Sequence, residues 1–250
     1  MKSVICHFYN EEYLLPWWLN HHKKYFDYGL MINYKSTDRS VEIIKEICPD
    51  WQIVDSVNSE FSAADVDNEV MHYEEQIPGW KIALNTTEFL IGKYSLLTED
   101  QTPQNIFIPS FYFIDENDHT LVDSNRPLYD QLTNGIDFVD NPTIRKLRCL
   151  HNSNNLRYPV GRHFLNYEDT SKDFIIFNYG FSPMNENLIS RKLQIQNRIP
   201  ESDKRSNLGA EHHDYNRGLT KEKLYDTLNT VYRPQSKDLS SKMKLYLEMV

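Results

Sequence analysis

The chain has 250 residues, of which 40% are hydrophobic and 25% charged, with a formal net charge of −9 and a pI near 5.5. This is enough apolar content to bury a core of enzyme size. The acidic balance excludes a global basic field of the kind that steers proteins to nucleic acid, while leaving room for local basic clusters that grip phosphate groups.

Cys6, Cys48 and Cys149 are odd in number, widely spaced and set in apolar context, so they read as buried thiols of a reducing compartment rather than disulfides or zinc ligands. No apolar h-region opens the chain, and no run approaches the roughly 20 apolar residues of a membrane span. The expected location is cytoplasmic, either free or peripheral at a membrane, with no transmembrane segment.

In chain order, Val4 to Phe8 reads as a buried strand, and Asn10-Glu11-Glu12 places carboxylates at the start of an amphipathic run from about Tyr13 to Tyr25. Leu30 to Tyr34 is the next strand, and its polar turn, Lys35-Ser36-Thr37-Asp38, supplies Thr37 or Asp38 to cap a helix over Val41 to Ile47. Trp51 to Val54 is a third strand. Asp65 to Gln76 is helical and stopped by Pro78-Gly79, and Trp80 to Leu84 is a fourth strand. That alternation predicts a mostly parallel sheet with right-handed crossovers.

Beyond the cluster Asn85-Thr86-Thr87-Glu88 the pattern changes to α+β. Asn105 to Ile114, a turn at 115–118 and Thr120 to Val122 read as a hairpin. Arg145 to Leu150 and Phe174 to Asn178 are strand candidates, Pro183 to Asn197 a helix, and Thr220 to Val250 a tail of one or two amphipathic helices. No repeat, linker or break in composition divides the chain. It reads as one domain, with residues 1–100 a ligand-binding half, 101–220 a second half and 221–250 a helical tail.

In open α/β sheets, ligands bind beyond the carboxyl ends of the strands. Four such ends are predicted to meet at one crevice: Phe8 to Glu11, Tyr34 to Asp38, Asp55-Ser56 and Asn85 to Glu88. A nucleotide lying across them would stack on Tyr9 or Tyr34 and be accepted at ribose hydroxyls or a base edge by Asp38 or Asp55. The alternative is that Asp38 only caps a helix and Asp55 only ends a strand. No G-x-G-x-x-G or Walker-type loop follows the first strand, which argues against a dinucleotide or kinase fold.

Glu88 is either a ligand for a divalent cation that holds a diphosphate or a cap or lysine partner. Further on, Gly209-Ala210-Glu211-His212-His213 places two imidazoles and a carboxylate behind a glycine, preceded by Arg191, Lys192, Arg198, Lys204 and Arg205. These cations could neutralise a leaving diphosphate. For Arg191 and Lys192, in the last helical turn, a solvated face that complements the helix dipole is the preferred reading. Tyr112, Tyr158, Arg162 and His163 lie in the second half, where a resemblance to a known family, carried by the motifs that follow, implies an acceptor or second-substrate site; core or rim packing is the preferred reading for most of the aromatics there.

Taken in order, these segments resemble a known family. Phe8-Tyr9-Asn10-Glu11-Glu12, Trp17-Trp18 and His21-His22, followed by Tyr34-Lys35-Ser36-Thr37-Asp38-Arg39-Ser40, are similar to the NE…EW-x-x-HH…NNSTDGS opening of family-two-like and family-ninety-two-like glycosyltransferases. Trp80 to Leu90 matches the place of W-x-x-x-x-D-x-D-E-F-L, and Gly209 to His213 that of a late G-x-Q-H. The resemblance implies a GT-A-like α/β fold and transfer of a sugar from a nucleotide-diphosphate donor, UDP- or GDP-linked, to a hydroxyl of a glycan, lipid-linked or protein acceptor in polysaccharide or glycan synthesis.

It also implies a site. Nucleotide binding would fall to Tyr9, Asn10, Glu11, Lys35, Asp38 and Asp55. Mn2+ or Mg2+ would be held by Asn85, Thr87, Glu88 and His212, and the diphosphate or acceptor by Arg162, Arg198, Lys204 and His213. Glu88 is also the candidate catalytic base for an inverting transfer. The chain departs from the family at Asn85 and Thr87, neutral groups where two aspartates would hold the cation. An amide and a hydroxyl are poorer ligands for a hard dication. Metal binding would then rest on Glu88, His212 and the donor phosphates, or give way to an arginine and lysine clamp. Two rival functions follow: a catalytically silent sugar- or nucleotide-binding interaction protein, and a nucleotide-sugar hydrolase.

Overall fold

The structure is a computed structural model that describes residues 1–99, 102–118, 120–139, 146–165, 167, 169–209, 212–213 and 218–250. The chain runs β1 (Lys2–Phe8), α1 (Leu15–His22), β2 (Tyr28–Asn33), α2 (Ser40–Ile47), β3 (Gln52–Asp55), α3 (Ala63–Glu74), β4 (Trp80–Ala83), β5 (Glu88–Gly92), β6 (Asn105–Ile108) and β7 (Ser110–Ile114). It continues through β8 (Asn134–Asp137), β9 (Arg148–His151), β10 (Phe174–Phe181), α4 (Glu186–Gln194), α5 (Glu201–Arg205), α6 (Lys221–Thr227), β11 (Lys237–Asp238) and α7 (Ser240–Leu247).

The first sheet has the order β3-β2-β1-β4-β9-β6, and its four leading strands are parallel. β9 joins β4 and β6 antiparallel. A second sheet, β11-β8-β7-β10-β5, is antiparallel except where β7 runs parallel to β10. The fold is thus mixed α/β, two sheets flanked by helices, and the alternation of the first 84 residues predicts the parallel part of the first sheet.

Local chemistry accounts for the helix starts. Asp38 Oδ1 accepts from Ser40 N at 3.0 Å and so caps α2, Ser62 Oγ accepts from Asp65 N in α3, and Asn185 Oδ1 accepts from Leu188 N in α4. Between the sheets, α1 is buried on almost every side: Leu15, Trp18, Leu19 and both histidines are covered. Its imidazoles tie it to β5. His21 Nε2 lies 2.7 Å from the Leu90 carbonyl, and His22 accepts from Leu90 N while its Nδ1 faces the Trp18 carbonyl at 2.9 Å. Both rings can satisfy these contacts while neutral, and burial lowers both pKa values, that of His21 to about 4.

The structure corrects two expected elements. Glu88 does not lie in a loop but opens β5, an extra strand of the second sheet. The expected hairpin over 105–122 is absent: Pro109 divides the run into β6 and β7, which join different sheets, and Thr120 to Val122 is not a strand. Proline has no N–H for a ladder, so a break there is the physical consequence. The tail carries the expected helices, α6 and α7, and adds β11, paired to β8, with Leu239 and Met243 in the main core. Arg145, the expected start of β9, lies outside the described residues. Cys6, Cys48 and Cys149 are free and buried. Among the described residues, no helix is long and apolar enough to cross a membrane.

Candidate functional site

A cavity of about 340 Å³ opens at the carboxyl ends of β1 and β4, between the two sheets. From the first sheet, His7, Tyr9 and Glu11 line it after β1, and Asn85 to Glu88 after β4. The second sheet adds Tyr112, Asn178 and Gly180, and α4 adds Arg191 and Lys192. Gly180 is needed for close approach: a Cβ there would stand 2.7 Å from the Tyr112 hydroxyl.

Glu88 is 2% exposed and its carboxylate is fully occupied. Arg148 Nε donates to both oxygens at 3.0 Å, Arg148 Nη2 stands 2.9 Å from Oε1, and Asn85 N donates to Oε2 at 2.8 Å. The main chain is fixed as well, because the Trp18 indole donates to the Glu88 carbonyl at 2.9 Å. Arg148 in turn donates through Nη1 to the carbonyls of Gly161 and Arg162, at 2.9 and 3.1 Å.

Arg162 is held in a similar way. It is 3% exposed, and its φ of 55° is a left-handed conformation uncommon for a residue with a side chain. Nη1 pairs with Asp67 Oδ1 at 2.5 Å, and Nη2 contacts Asn85 Oδ1 at 3.0 Å and His7 Nδ1 at 3.1 Å. Asp67 Oδ2 accepts from Gly161 N at 2.6 Å, so one carboxylate anchors both residues of the turn to α3. Burial, then the charges of Arg162 and Arg148, hold the His7 pKa well below the ordinary imidazole value, and His163 is lowered by burial and then by Arg148, Lys146 and Arg162.

On the α4 side, Arg191 pairs with Glu11 and donates to Thr86 Oγ1 at 3.1 Å, and the Lys192 ammonium lies 3.8 Å above the Phe181 ring. This corrects the solvated-face reading of both residues. Lys192 follows Leu188 by four positions and Ile189 by three, which puts it on the buried face of α4. Arg198 covers the Tyr9 ring at 4.4 Å and donates to the carbonyls of Tyr34 and Ser59.

Of the site residues that the resemblance implies, the cavity brings together Tyr9, Glu11, Asn85, Thr87, Glu88 and His212, and it adds the sequence candidates Tyr112, His163, Arg191 and Lys192. The others lie outside its lining. Asn10 Oδ1 accepts from Thr37 N at 2.7 Å and Asp38 caps α2, so both organise the turns after β1 and β2. Lys35 is exposed, Asp55 accepts from Asn33 at the strand end, and Lys204 pairs with Glu201 at 3.0 Å. His213 is buried with Nε2 2.9 Å from the Leu208 carbonyl, and Arg162 stands behind the cavity wall. Ala210 and Glu211 of the late motif lie outside the described residues. Only two of the four expected strand ends meet at the cavity, those of β1 and β4.

His7, Lys146, Arg148 and His163 were not singled out in the sequence as binding groups, apart from His163 as a second-substrate candidate. A charged residue inside the apolar run Leu147-Arg148-Cys149-Leu150 is the one local signal for Arg148. Nothing local names its partner. Among the described lining residues, Lys146, Arg148, Arg191 and Lys192 stand against two carboxylates, Glu11 and Glu88.

The donor set fits a divalent cation poorly. Among the described residues, no group of three or more His, Cys, Asp or Glu is placed to share a metal ion. Of the four expected ligands, Glu88 gives both oxygens to Arg148 or main-chain N–H, and Asn85 gives Oδ1 to Arg162. A dication there would face two guanidinium groups at close range.

No family model matches the chain, and no curated protein matches it. Among solved structures it is similar to the crystal structure of S. aureus TarS 1–349, at 12% identity and TM-score 0.40, covering 79% of this chain and 65% of that one. It is also similar to S. aureus TarS 1–349 in complex with UDP-GlcNAc, at 14% identity and TM-score 0.33, covering 49% of this chain and 37% of that one. The chain thus spans less than two thirds of the length of either. Likeness of this degree assigns neither activity nor ligand.

Proposed function

We propose that the chain binds a nucleoside-diphosphate sugar in the cavity after β1 and β4 and transfers the sugar to an acceptor hydroxyl. One observation carries this reading: in a chain of net charge −9, four cations against two carboxylates line a cavity at the carboxyl ends of parallel strands. The ordered resemblance of Phe8 to Ser40, Trp80 to Leu90 and Gly209 to His213 to GT-A-fold glycosyltransferases supports the same assignment.

In such a transfer the anomeric carbon becomes oxocarbenium-like as negative charge builds on the leaving diphosphate. Cations already in place stabilise that charge without reorganising. The acceptor hydroxyl must also lose a proton. Glu88, locked in its ion pair, can take that proton only by giving up Arg148. His163 lines the cavity as well, and burial followed by the charges of Arg148, Lys146 and Arg162 holds its pKa well below the ordinary imidazole value, which favours the neutral ring and weakens it as a proton acceptor.

The occupancy of the Glu88 carboxylate also favours a second reading, a silent member that binds donor without turnover. Titration calorimetry with UDP and GDP, followed by incubation with UDP- and GDP-sugars with and without acceptor glycans, separates the readings. Donor-dependent product supports transfer, binding without product supports the silent protein, and release of free sugar alone supports a hydrolase. Absence of binding by either nucleotide overturns the proposal.

A further inference from the structure

The parallel register of β1 and β4 sets Ile5 beside Ala83, both packed with Val66 and Val70 of α3. Side chains two positions apart on a strand share a face, so the residues that follow on this face are His7 and Asn85, side by side at the cavity wall. The geometry points to a two-donor site for a phosphoryl group, in which the Asp67–Arg162 pair aims the Nε2–H of His7 and the side-chain NH2 of Asn85 at phosphate oxygens. Asp67 and Arg162 lie outside the cavity lining and act as positioning residues. This inference rests on the nucleotide-sugar reading and names groups that hold its diphosphate.

Three observations carry it. First, a guanidinium has no acceptor, so both atoms that meet Arg162 Nη2 must accept: Asn85 Oδ1 at 3.0 Å and His7 Nδ1 at 3.1 Å. The Asn85 amide nitrogen therefore faces away from Arg162, and the proton of the neutral His7 ring sits on Nε2. Burial and the charges of Arg162 and Arg148 favour that neutral form. Second, among the described residues neither N–H group has a hydrogen-bond partner, and neither is sealed from solvent. Third, the guanidinium behind them is fixed: Arg162 is 3% exposed, and Asp67 accepts from its Nη1 at 2.5 Å and from Gly161 N at 2.6 Å. Its hydrogen bonds polarise the imidazole and the amide and so strengthen both as donors. Two adjacent donors suit a group that carries several oxygens on one centre, and hydrogen bonds to charged oxygens are the stronger ones.

The test is NMR of the isotope-labelled full chain, reading the His7 ring nitrogens through their carbon-bound protons together with the Asn85 NH2 group. Spectra are taken alone and with inorganic pyrophosphate, UDP or uridine. The expected result is a His7 proton on Nε2, and a shift of both groups with pyrophosphate and UDP but not with uridine. Asn85→Asp keeps an oxygen for Arg162 but replaces the donor by an acceptor, and should weaken UDP binding by about tenfold or more in calorimetry. Asp67→Asn touches no ligand, yet should move part of the His7 population to the Nδ1–H form, a change that a purely structural role would not produce. Melting curves establish that each variant is folded, and the wild-type spectra need no variant. A His7 proton on Nδ1, or shifts that follow uridine rather than pyrophosphate, overturns this inference while UDP binding leaves the nucleotide-sugar reading standing. UDP affinity unchanged or tightened in Asn85→Asp also overturns it, and an unchanged His7 tautomer in Asp67→Asn overturns the positioning role. Absence of UDP binding overturns both the inference and the reading.

Discussion

Nη2 of Arg162 lies 3.1 Å from Nδ1 of His7, and because a guanidinium only donates, that imidazole nitrogen is the acceptor and the ring proton sits on Nε2. The contact joins residues 155 positions apart and makes His7 a neutral hydrogen-bond donor at the cavity wall rather than a base. Its partner is held by Asp67, so α3 and the turn at Gly161 together set the state of a β1 side chain.

Arg162→Met is therefore expected to leave Asp67 buried and unpaired, at a cost of about 3 kcal/mol or more. Adding Asp67→Asn should return part of that loss. Urea denaturation of the two single variants and the double variant measures the coupling, expected to exceed about 1 kcal/mol. Additive losses would show that the pair does not act as a unit.

Stability should fall in mild acid. His21 is 5% exposed, and burial lowers its pKa from 6.5 to about 4; burial lowers His7, His22 and His163 in the same direction. The unfolded chain binds protons at these rings below pH 6.5 while the folded chain does not. This contribution is flat above pH 6.5 and lost as the pH drops toward 4, by about 3 kcal/mol for His21 alone. Urea midpoints at pH 7 and pH 5 check the slope, and His21→Asn should reduce it.

Glu88→Ala should destabilise the fold by about 3–5 kcal/mol, because it strands Arg148, which is 2% exposed. A loss of activity in that variant would by itself say little about chemistry. Thermal melts of Glu88→Ala beside Arg148→Met and the double variant are the control, and the double variant should be more stable than the sum of the two losses indicates.

Gly180→Ala is expected to act on the ligand rather than the fold. The new Cβ would stand 2.7 Å from the Tyr112 hydroxyl and 3.1 Å from Asn178 Oδ1, and both residues line the cavity. The phenol must swing aside, so UDP affinity should drop by about tenfold or more while stability changes by less than about 1 kcal/mol. Calorimetry and a melting curve measured together decide this, and unchanged affinity would remove Tyr112 from the binding wall.

Much of the first half was legible in the sequence because its signals are local. Apolar runs alternating with amphipathic stretches specify β1 to β4 and the three helices between them, and Asp38 beside Ser40 specifies a cap. The burial of Cys6, Cys48 and Cys149 follows from their apolar neighbours. The division at Pro109 was also written in the sequence, since proline cannot sit in a continuous ladder, although the flanking aromatic residues read as one strand.

The state of the site was decided only by the tertiary structure. Glu88 meets Arg148 across 60 positions, Arg162 meets Asp67 across 95, and Arg191 meets Glu11 across 180. A carboxylate in a polar cluster carries the same local pattern whether it will bind a cation, take a proton or neutralise an arginine. The choice depends on which charge is carried to within 3 Å of it when distant segments pack, and on the cost of burying that charge alone. Sequence periodicity records the elements that pack, not the side chains that meet between them, so the cavity was foreseeable at the strand ends while the guanidinium groups that occupy its expected ligands were not.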